Sequence, residues 1–419
     1  MDGVMRVLVL LPDFVLPAER GFRVRILSQL RAISDIPSVE SITVLSMSEV
    51  AVPDELRRSL GEQVPKVRAE PVIHRLLRIR RSLKAFGTVL GARLVYGEPY
   101  LIATNESAEL RHILREHLRR SSFDIVYFGL LGMTGYLRDV RAFAPQARVV
   151  LEQHNVEWQI FDRLASSYRA PLRQLARLEA RALRRYERRA LSSVDSVIAI
   201  SEDDARQFRG LAGVESVVVP PFIEARPPRA ETCAEPSLGY IGHLGWQPNV
   251  YGLDWFCKSV WPLVRTRIPN ARLTIAGPGM ERTPDGRVVV PAAWQAPGVT
   301  TLGFVDELET LYTRVVAMIA PVVGGSGVRM KLLEAMSAGM PTVTTTDGAA
   351  GLGIASGREM LVADSEAGFA DSVVRVLQDR GLRGELRAAG YDYLAARHSL
   401  AVSRAAIERA FGISRQTFP

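Results

Sequence analysis

Short runs of apolar and β-branched residues alternate along the chain with stretches whose apolar residues recur at helical spacing. The first run predicts a strand over Arg6–Leu11, and the spacing that follows predicts a helix over Arg23–Ser34. Further strands are predicted over Ser41–Leu45, Asp124–Phe128, Arg148–Leu151, Ser196–Ile200 and Val217–Val219. Strands separated by helices indicate a parallel sheet covered on both faces, and hence the α/β class.

A break in this alternation divides the chain. Pro220-Pro221 and the aperiodic stretch Ala225–Pro236 predict a linker. The alternation then restarts, with strands predicted over Leu238–Ile241, Ala271–Ala276, Val299–Gly303, Ala317–Ala320 and Pro341–Thr345. We therefore expect one doubly wound domain over residues 1–225 and a second over 226–395, followed by a helical segment over 396–419. Ligands of open parallel sheets bind beyond the carboxyl ends of the strands, so two such domains predict a cleft between them.

Composition excludes several classes of protein. The 419 residues are 47% hydrophobic and 23% charged, which excludes a disordered, collagen-like or low-complexity chain. No apolar stretch approaches the ~18 residues of a membrane span, and the first run ends at Pro12, too early for a secretion signal. Cys233 and Cys257 form no CxxC pair, so we expect neither a disulfide framework nor a structural zinc site. The expected compartment is the cytoplasm.

The net charge is +8, and basic residues are concentrated in two segments of the chain. Residues 74–86 carry five basic side chains interleaved with apolar ones, so this stretch predicts either a solvated helix packed on the core or a peripheral contact with the inner face of a membrane. A second basic run, Arg181–Arg189, is typical of a salt-bridged surface helix. No aromatic-basic motif of a nucleic-acid-binding protein is present, so nucleic acid is not an expected partner.

The sharpest motif is the segment from Gly324 to Pro341. A glycine loop follows a predicted strand and opens a helix predicted over Val328–Ala338, so free backbone N–H groups predict an anion site. Arg329 and Lys331 oppose the helix dipole by about 0.3–1 kcal/mol each, a cost that a bound anion would reverse. Glu334 is suited to accept hydrogen bonds from sugar hydroxyls. The alternative is a solvent-facing helix with a Lys–Glu pair.

This segment resembles the signature of the retaining family 4 glycosyltransferases, which have the GT-B fold of two Rossmann-like domains. The resemblance extends over the second half of the chain, through Gly242–Asn249, Ile275–Gly279 and Leu302–Val305, and reaches the first half more loosely through His154 and Ile198–Ser201. It implies a two-domain enzyme that takes a nucleotide sugar in the second domain and an acceptor in the first. It also implies that the last helix crosses back to the first domain.

The resemblance assigns the donor site residue by residue. Glu334 corresponds to the second Glu of the family's E-x7-E motif, which binds ribose, whereas the first Glu is replaced by Ser326. The remaining donor-binding candidates are Gly242, His243, Gly277, Gly303, Phe304, Val305, Gly325, Gly327 and Val328. The base is expected against Gly303–Val305 and the diphosphate on the amides of Gly325–Val328. Arg329 and Lys331, as catalytic candidates, would neutralise that diphosphate in place of a metal ion, and no cofactor is implied.

In the first domain the resemblance points to His154, which follows a strand, as a catalytic residue near the transferred sugar. Family members have paired glycines after the first strand, and this chain has one, so Gly21 and Arg23 are the acceptor-binding candidates; Arg23 pointing to solvent is the alternative.

The expected function is transfer of a sugar from a UDP- or GDP-sugar to an acceptor hydroxyl with retention of anomeric configuration. The product would be a glycan, a glycolipid or a glycosylated metabolite. Because Ser326 replaces a family Glu, a catalytically inactive nucleotide-sugar-binding protein is one alternative. A nucleotide-sugar epimerase of the same fold is another.

Overall fold

The computed structural model describes residues 4–18, 21–74, 98–167, 172–227, 235–280, 289–305, 308–324 and 328–413. The chain forms two compact units. Unit 1 comprises Met1–Phe222 together with Leu400–Pro419, and unit 2 comprises Ile223–Ser399. The sequence had indicated divisions after residues 225 and 395.

Unit 1 is built on a parallel sheet of seven strands in the order β3-β2-β1-β4-β5-β6-β7. Its strands are β1 Met5–Leu11, β2 Val39–Ser48, β3 Val67–Ile73, β4 Ile125–Gly129, β5 Arg148–Gln153, β6 Ser196–Ala199 and β7 Ser216–Val218. The central strands β1, β4 and β5 are buried along almost their whole length, as continuous apolar runs require in a sheet covered on both faces.

The helices of unit 1 cover both faces of this sheet, and the sheet separates two apolar clusters, one on each face. They are α1 Gly21–Ser34, α2 Asp54–Gln63, α3 Tyr100–Ala103, α4 Ala108–Arg120, α5 Leu137–Phe143, α6 Glu157–Ser167, α7 Leu172–Ser192 and α8 Glu202–Ala212, with a 3₁₀ helix over Leu131–Tyr136. The stretch 75–86, where the sequence left a membrane contact open, lies outside the described residues.

Unit 2 repeats the architecture with six parallel strands in the order β10-β9-β8-β11-β12-β13. Its strands are β8 Ser237–Ile241, β9 Arg272–Ala276, β10 Val299–Gly303, β11 Ala317–Ala320, β12 Thr342–Thr344 and β13 Leu361–Val362. Its helices are α9 Gln247–Trp255, α10 Trp261–Arg267, α11 Leu308–Tyr312, α12 Met330–Ser337, α13 Thr346–Ala349, α14 Glu366–Gln378 and α15 Arg380–Arg397. A π-helical turn, Phe256–Val260, joins α9 to α10, and a 3₁₀ turn spans Ala292–Trp294.

These two parallel sheets confirm the predicted α/β class with two Rossmann-like domains. Two helix starts were wrong: α1 begins at Gly21, two residues earlier than predicted, and α12 begins at Met330, two residues later than predicted. Arg329 takes the position before the helix with an extended backbone, φ −84° and ψ 95°, and its guanidinium donates a hydrogen bond to the carbonyl of Gly324 at 3.1 Å.

The last helix, α16 Leu400–Phe411, belongs to unit 1. Its apolar face, which includes Ile407 and Phe411, joins the cluster on one face of the unit 1 sheet. Ser403 donates a hydrogen bond to the carbonyl of Pro220 at 2.9 Å, and Arg404 pairs with Asp35 at 2.8 Å. Within the described parts of the chain, no helix is both long and apolar enough to cross a membrane.

Candidate active site

Three glycine-containing turns follow the neighbouring strands β8, β9 and β10 of unit 2 and lie against one another. Gly242 donates its amide hydrogen to the carbonyl of Ala276 at 3.2 Å, and Gly277 donates to the carbonyl of Gly303 at 2.7 Å. A Cβ on Gly277, whose φ is 142°, would lie 1.8 Å from the carbonyl oxygen of Gly242, so no larger residue fits there. The structure thus brings these three predicted glycines to one edge of the sheet.

The side chains next to these turns are accessible. His243 is exposed, and its Nδ1 accepts a hydrogen bond from the amide of Gly245 at 3.2 Å. Phe304 follows β10 and is 52% exposed, while Val305 is partly buried against a small apolar cluster of unit 2. An exposed aromatic ring at the carboxyl edge of a parallel sheet is available to stack on a flat ligand.

Lys331 lies in the first turn of α12, with its ammonium pointing towards β8 and α9. Its Nζ donates to Oδ1 of Asn249 at 3.1 Å and to the Tyr240 hydroxyl at 3.4 Å, and it lies 4.7 Å from the centre of the Tyr240 ring. Burial, reinforced by the positive charge of Arg329, lowers the pKa of Lys331 to about 7. No carboxylate is within ion-pair distance of this ammonium in the described parts of the chain.

Glu334 lies one turn further along α12 and is partly buried. Burial raises the pKa of its carboxyl, and the positive charge of Arg226 opposes that shift. Among the residues that the structure describes, none donates a hydrogen bond to this carboxylate. A partly buried carboxylate without donors is a strong acceptor for hydroxyl groups of a ligand.

The loop that joins β11 to α12 is described at both of its ends. Gly324, with φ 72°, donates its amide hydrogen to the carboxylate of Asp347 at 2.6 Å. Val328 is partly buried against a satellite apolar cluster. The predicted donor-binding residues Gly325, Ser326 and Gly327 lie outside the described residues.

In unit 1, His154 directly follows β5 and contacts a buried charge network. Its Nε2 lies 3.3 Å from Oε1 of Glu152, which Arg25 also contacts through Nε at 2.7 Å. Tyr127 donates a hydrogen bond to the other oxygen of Glu152, and Arg25 donates to the carbonyl of Val219 at 2.6 Å. Burial alone would raise the pKa of Glu152, but the charges of Arg25 and His154 lower it to about 2. Glu152 is therefore a fixed anion beneath the imidazole.

A cleft of about 370 Å³ within unit 1 opens beside His154. Its lining is mostly apolar and includes Phe22, Tyr100 and Phe161, and the Phe22 ring lies 5.6 Å from the imidazole. Leu130, also in the lining, has φ 92° and ψ 153°, a region that non-glycine residues enter at a cost of order 1–3 kcal/mol. Backbone strain of this kind is typical of functional sites.

The two acceptor-binding candidates lie at the start of α1. Gly21 is the first residue of that helix and is exposed. Arg23 is held by Asp13, with Nη2 at 2.9 Å from Oδ2, and by the carbonyl of Pro17 at 3.2 Å. The guanidinium is thus fixed to the loop after β1.

Solved structures with the same fold include Anabaena Alr3699/HepE in complex with UDP and glucose, with a TM-score of 0.62 and 12% identity over 97% of this chain and 99% of that one. S. aureus TarM in complex with Fondaparinux, alpha-GlcNAc-glycerol and UDP has a TM-score of 0.65 and 10% identity over 97% and 100%. Sucrose-phosphate synthase from Thermosynechococcus elongatus has a TM-score of 0.65 and 14% identity over 97% and 98%. These likenesses establish the GT-B fold.

Two family models match in the two halves of the sequence. The model "Glycosyltransferase Family 4" matches residues 80–226, and "Glycosyl transferases group 1" matches residues 235–379. Each half of the chain thus carries a glycosyltransferase domain on the GT-B fold. A relative from Klebsiella pneumoniae, described as an uncharacterized 44.6 kDa protein in the cps region, is 29% identical over 137 residues. That match spans 32% of this chain and only 35% of the length of the relative.

Sequence reasoning did not assign a role to three residues that the structure places among the candidate site residues. Arg25 and Tyr127 reach Glu152 from separate elements, and Asn249 reaches Lys331 from α9. Each of these contacts joins residues far apart in sequence, so no local spacing signals them. The only sequence hint was that Arg25 is polar in a stretch that packs against the core. The described parts hold no cluster of three or more His, Cys, Asp or Glu side chains arranged for a metal ion.

Proposed function

We propose that this glycosyltransferase moves a sugar from a nucleoside diphosphate sugar to an acceptor hydroxyl and retains the anomeric configuration. The observation that carries the proposal is Lys331, a partly buried ammonium that has no carboxylate within ion-pair distance among the described residues and lies one helical turn from Glu334. An unbalanced cation beside glycine turns at the carboxyl edge of a parallel sheet is suited to a diphosphate.

Unit 2 would bind the donor. Lys331 and Arg329 would neutralise the diphosphate, and the carboxylate of Glu334 would accept hydrogen bonds from the ribose hydroxyls. Phe304 and Val305 would contact the base, beside the packed turns at Gly242, Gly277 and Gly303. Gly325, Ser326, Gly327 and Val328 remain proposed donor contacts on the strength of the sequence. The UDP complexes of the structural neighbours support a UDP-sugar as the first donor to test.

Unit 1 would bind the acceptor. His154 is proposed to contact the transferred sugar, held in orientation by the anion of Glu152. The cleft beside it would admit the acceptor, with Gly21 and Arg23 at the start of α1 on the acceptor side.

The bond from the anomeric carbon to the diphosphate oxygen breaks, and the bond to the acceptor oxygen forms on the same face of the sugar. The acceptor hydroxyl gives its proton to the leaving diphosphate. Cationic side chains that are already oriented stabilise the developing negative charge at no reorganisation cost, which is the largest contribution that the protein would make. On this proposal two cations take the place of a metal ion. The product would be a glycan, a glycolipid or a glycosylated metabolite.

The first experiment is a panel of UDP- and GDP-sugars, incubated with and without acceptors, in which release of free UDP or GDP is measured. Wild type is compared with Glu334→Ala and Arg329→Ala, and each reaction is repeated with EDTA. We expect slow hydrolysis of one donor by wild type, unaffected by EDTA and abolished in both variants. The proton coupling constant at the anomeric centre of the first transfer product reports retention.

The other outcomes separate the alternatives. Binding of a nucleotide sugar without turnover across a broad acceptor panel would favour the catalytically inactive binding protein. Conversion of the donor sugar without release of nucleotide from the enzyme would favour an epimerase. Absence of any nucleotide binding would overturn the assignment of unit 2.

A further inference from the structure

Asn249 joins two elements that face the proposed diphosphate site. Its Oδ1 accepts a hydrogen bond from Nζ of Lys331 at 3.1 Å, and its Nδ2 donates to the carbonyl of His243 at 3.1 Å. We infer that Asn249 is the positioning residue of Lys331, holding the ammonium of α12 against the turn after β8. This inference rests on the proposed function, in which Lys331 binds the donor diphosphate.

The two hydrogen bonds fix the orientation of the amide. The ammonium can only donate and the carbonyl of His243 can only accept, so Oδ1 must face Lys331 and Nδ2 must face the turn. The space for this arrangement depends on Gly242. A Cβ at that position would lie 3.1 Å from Nδ2 of Asn249 and 2.7 Å from the Tyr240 hydroxyl.

The charges around Lys331 explain why an amide suits this position. Among the described residues, the charge that acts on Lys331 is that of Arg329, which is positive, and Tyr240 from β8 is neutral because burial raises its pKa. The interaction of Glu334, further along α12, is with Arg226, and His243 meets Asn249 through its backbone carbonyl and not its ring. Within the described residues, the amide oxygen therefore orients the ammonium without compensating its charge, whereas a carboxylate in its place would neutralise the ammonium before the donor arrives.

The test uses Asn249→Asp, a change of nearly the same shape that adds a negative charge. It measures kcat/KM for the donor and the Kd of the nucleoside diphosphate product from pH 5.5 to 9.5. In wild type, binding of the diphosphate should weaken as Lys331 loses its proton above a pH of about 7. A new carboxylate beside the ammonium should move this fall in binding, the alkaline limb of the pH profile, to a pH higher by about one unit or more. It should also weaken diphosphate binding about tenfold at pH 6.

Asn249→Ala tests the same contact in the opposite direction. Loss of the acceptor oxygen disfavours the charged form, so we expect the alkaline limb to move to lower pH. The matched control is Tyr251→Asp, which adds a carboxylate to the exposed side of the same helix and should leave the limb where it is. Thermal unfolding of each variant reports that the fold is kept.

The failures of the two proposals are distinguishable. If Lys331→Met binds the nucleoside diphosphate as wild type does, the proposed diphosphate role of Lys331 is overturned. If Lys331→Met loses binding and the alkaline limb while both Asn249 variants keep the limb in place, the diphosphate role stands and the positioning role is overturned. If binding of the nucleoside diphosphate weakens by the same factor at every pH in the Asn249 variants, the positioning role is also overturned, because Asn249 then acts only on the structure.

Discussion

Each unit places a cation at the carboxyl edge of its sheet, buried in unit 1 and partly buried in unit 2, but the two cations have opposite surroundings. In unit 1, Arg25 meets the carboxylate of Glu152 at 2.7 Å and the carbonyl of Val219. In unit 2, Lys331 meets only the neutral groups of Asn249 and Tyr240 in the described part of the chain. Arg25 is thus balanced by a carboxylate, whereas no described residue balances the charge of Lys331, which is available to a ligand.

The difference indicates that Arg25 has a structural role, whereas Lys331 has a role in ligand binding. A balanced buried ion pair fixes the position of a neighbouring side chain, here His154. Its contribution to stability changes little when the ligand leaves. An unbalanced cation costs stability in the unliganded protein and recovers it on binding an anion. The same kind of substitution should therefore have opposite effects on the stability of the two units.

The largest effect is expected for Arg25→Met. This change leaves the carboxylate of Glu152 buried without its countercharge, which should lower the free energy of unfolding by about 3–5 kcal/mol. Urea-induced unfolding followed by circular dichroism measures the loss. The matched control is the double variant Arg25→Met with Glu152→Gln, which removes both charges and should regain most of it.

The pH dependence of that pair gives a second check. Because the pKa of Glu152 is lowered from 4.5 to about 2, its ionised form contributes stability above pH 4.5 that is lost as the pH falls towards 2. The double variant should lack this acid-side loss. A double variant as unstable as Arg25→Met would contradict the balanced-pair interpretation.

For Lys331→Met we expect loss of function together with a gain of stability. Removal of one preorganised donor to a developing anion costs about 100-fold or more in turnover, so kcat/KM for the donor should fall by about that factor. Because the pKa of Lys331 is lowered from 10.5 to about 7, the unfolded chain binds more protons between these values, and wild-type stability should rise with pH across that window. The variant should lack this rise and be the more stable protein at pH 7. Melting temperatures from pH 7 to 10 measure it; a melting temperature below that of wild type at pH 7 would sink the prediction.

A smaller effect is expected for Glu334→Gln, which keeps the shape but weakens acceptance from ribose hydroxyls. One charged hydrogen bond contributes about 1.5 kcal/mol or more, so KM for the donor should rise about tenfold. Because burial raises the pKa of Glu334, its charged form costs stability above that pKa, and the variant should be slightly more stable at neutral pH. Glu366→Gln, an exposed carboxylate on α14, is the matched control and should leave KM unchanged.

The smallest effect is expected for Arg23→Ala. The pair with Asp13 is partly exposed, so its loss should lower the free energy of unfolding by only about 0.2–1 kcal/mol. If Arg23 faces the acceptor as proposed, KM for the acceptor should rise a few-fold while KM for the donor stays constant. An acceptor KM equal to that of wild type would contradict the acceptor-binding role of Arg23, whose function would then be to hold the loop after β1.

Periodicity was sufficient for elements that are apolar throughout. The predicted β11 matches the observed bounds, because it is buried throughout and ends at a proline. The edge strand β10 also matches, but because Gly298 and Gly303 frame it and not because it is apolar. The strands β3 and β13 were missed: β3 contains Pro71 and is half-exposed at the sheet edge, and β13 has two residues. Edge strands need only one covered face, so they show no continuous apolar run.

The candidate site likewise contains some features that the sequence could predict and others that it could not. Gly277 could be recognised because tight turns require glycine wherever they occur, and its neighbours lie close in sequence. Arg25 and Glu152 are 127 positions apart and Asn249 and Lys331 are 82 apart, so their contacts exist only after the sheets form. The chemistry of each side chain was readable from the sequence, whereas the identity of its partner was not.

The helix α16 gives unit 1 an unusual assembly order. Ala406, Ile407, Ala410 and Phe411 complete an apolar cluster whose other members lie before residue 220. During synthesis, the whole stretch that becomes unit 2 is made before this last helix. The second-made unit can therefore finish folding first, while the first-made one waits with part of its apolar face uncovered. Until residue 411 has left the ribosome, that face is a surface for chaperones to protect.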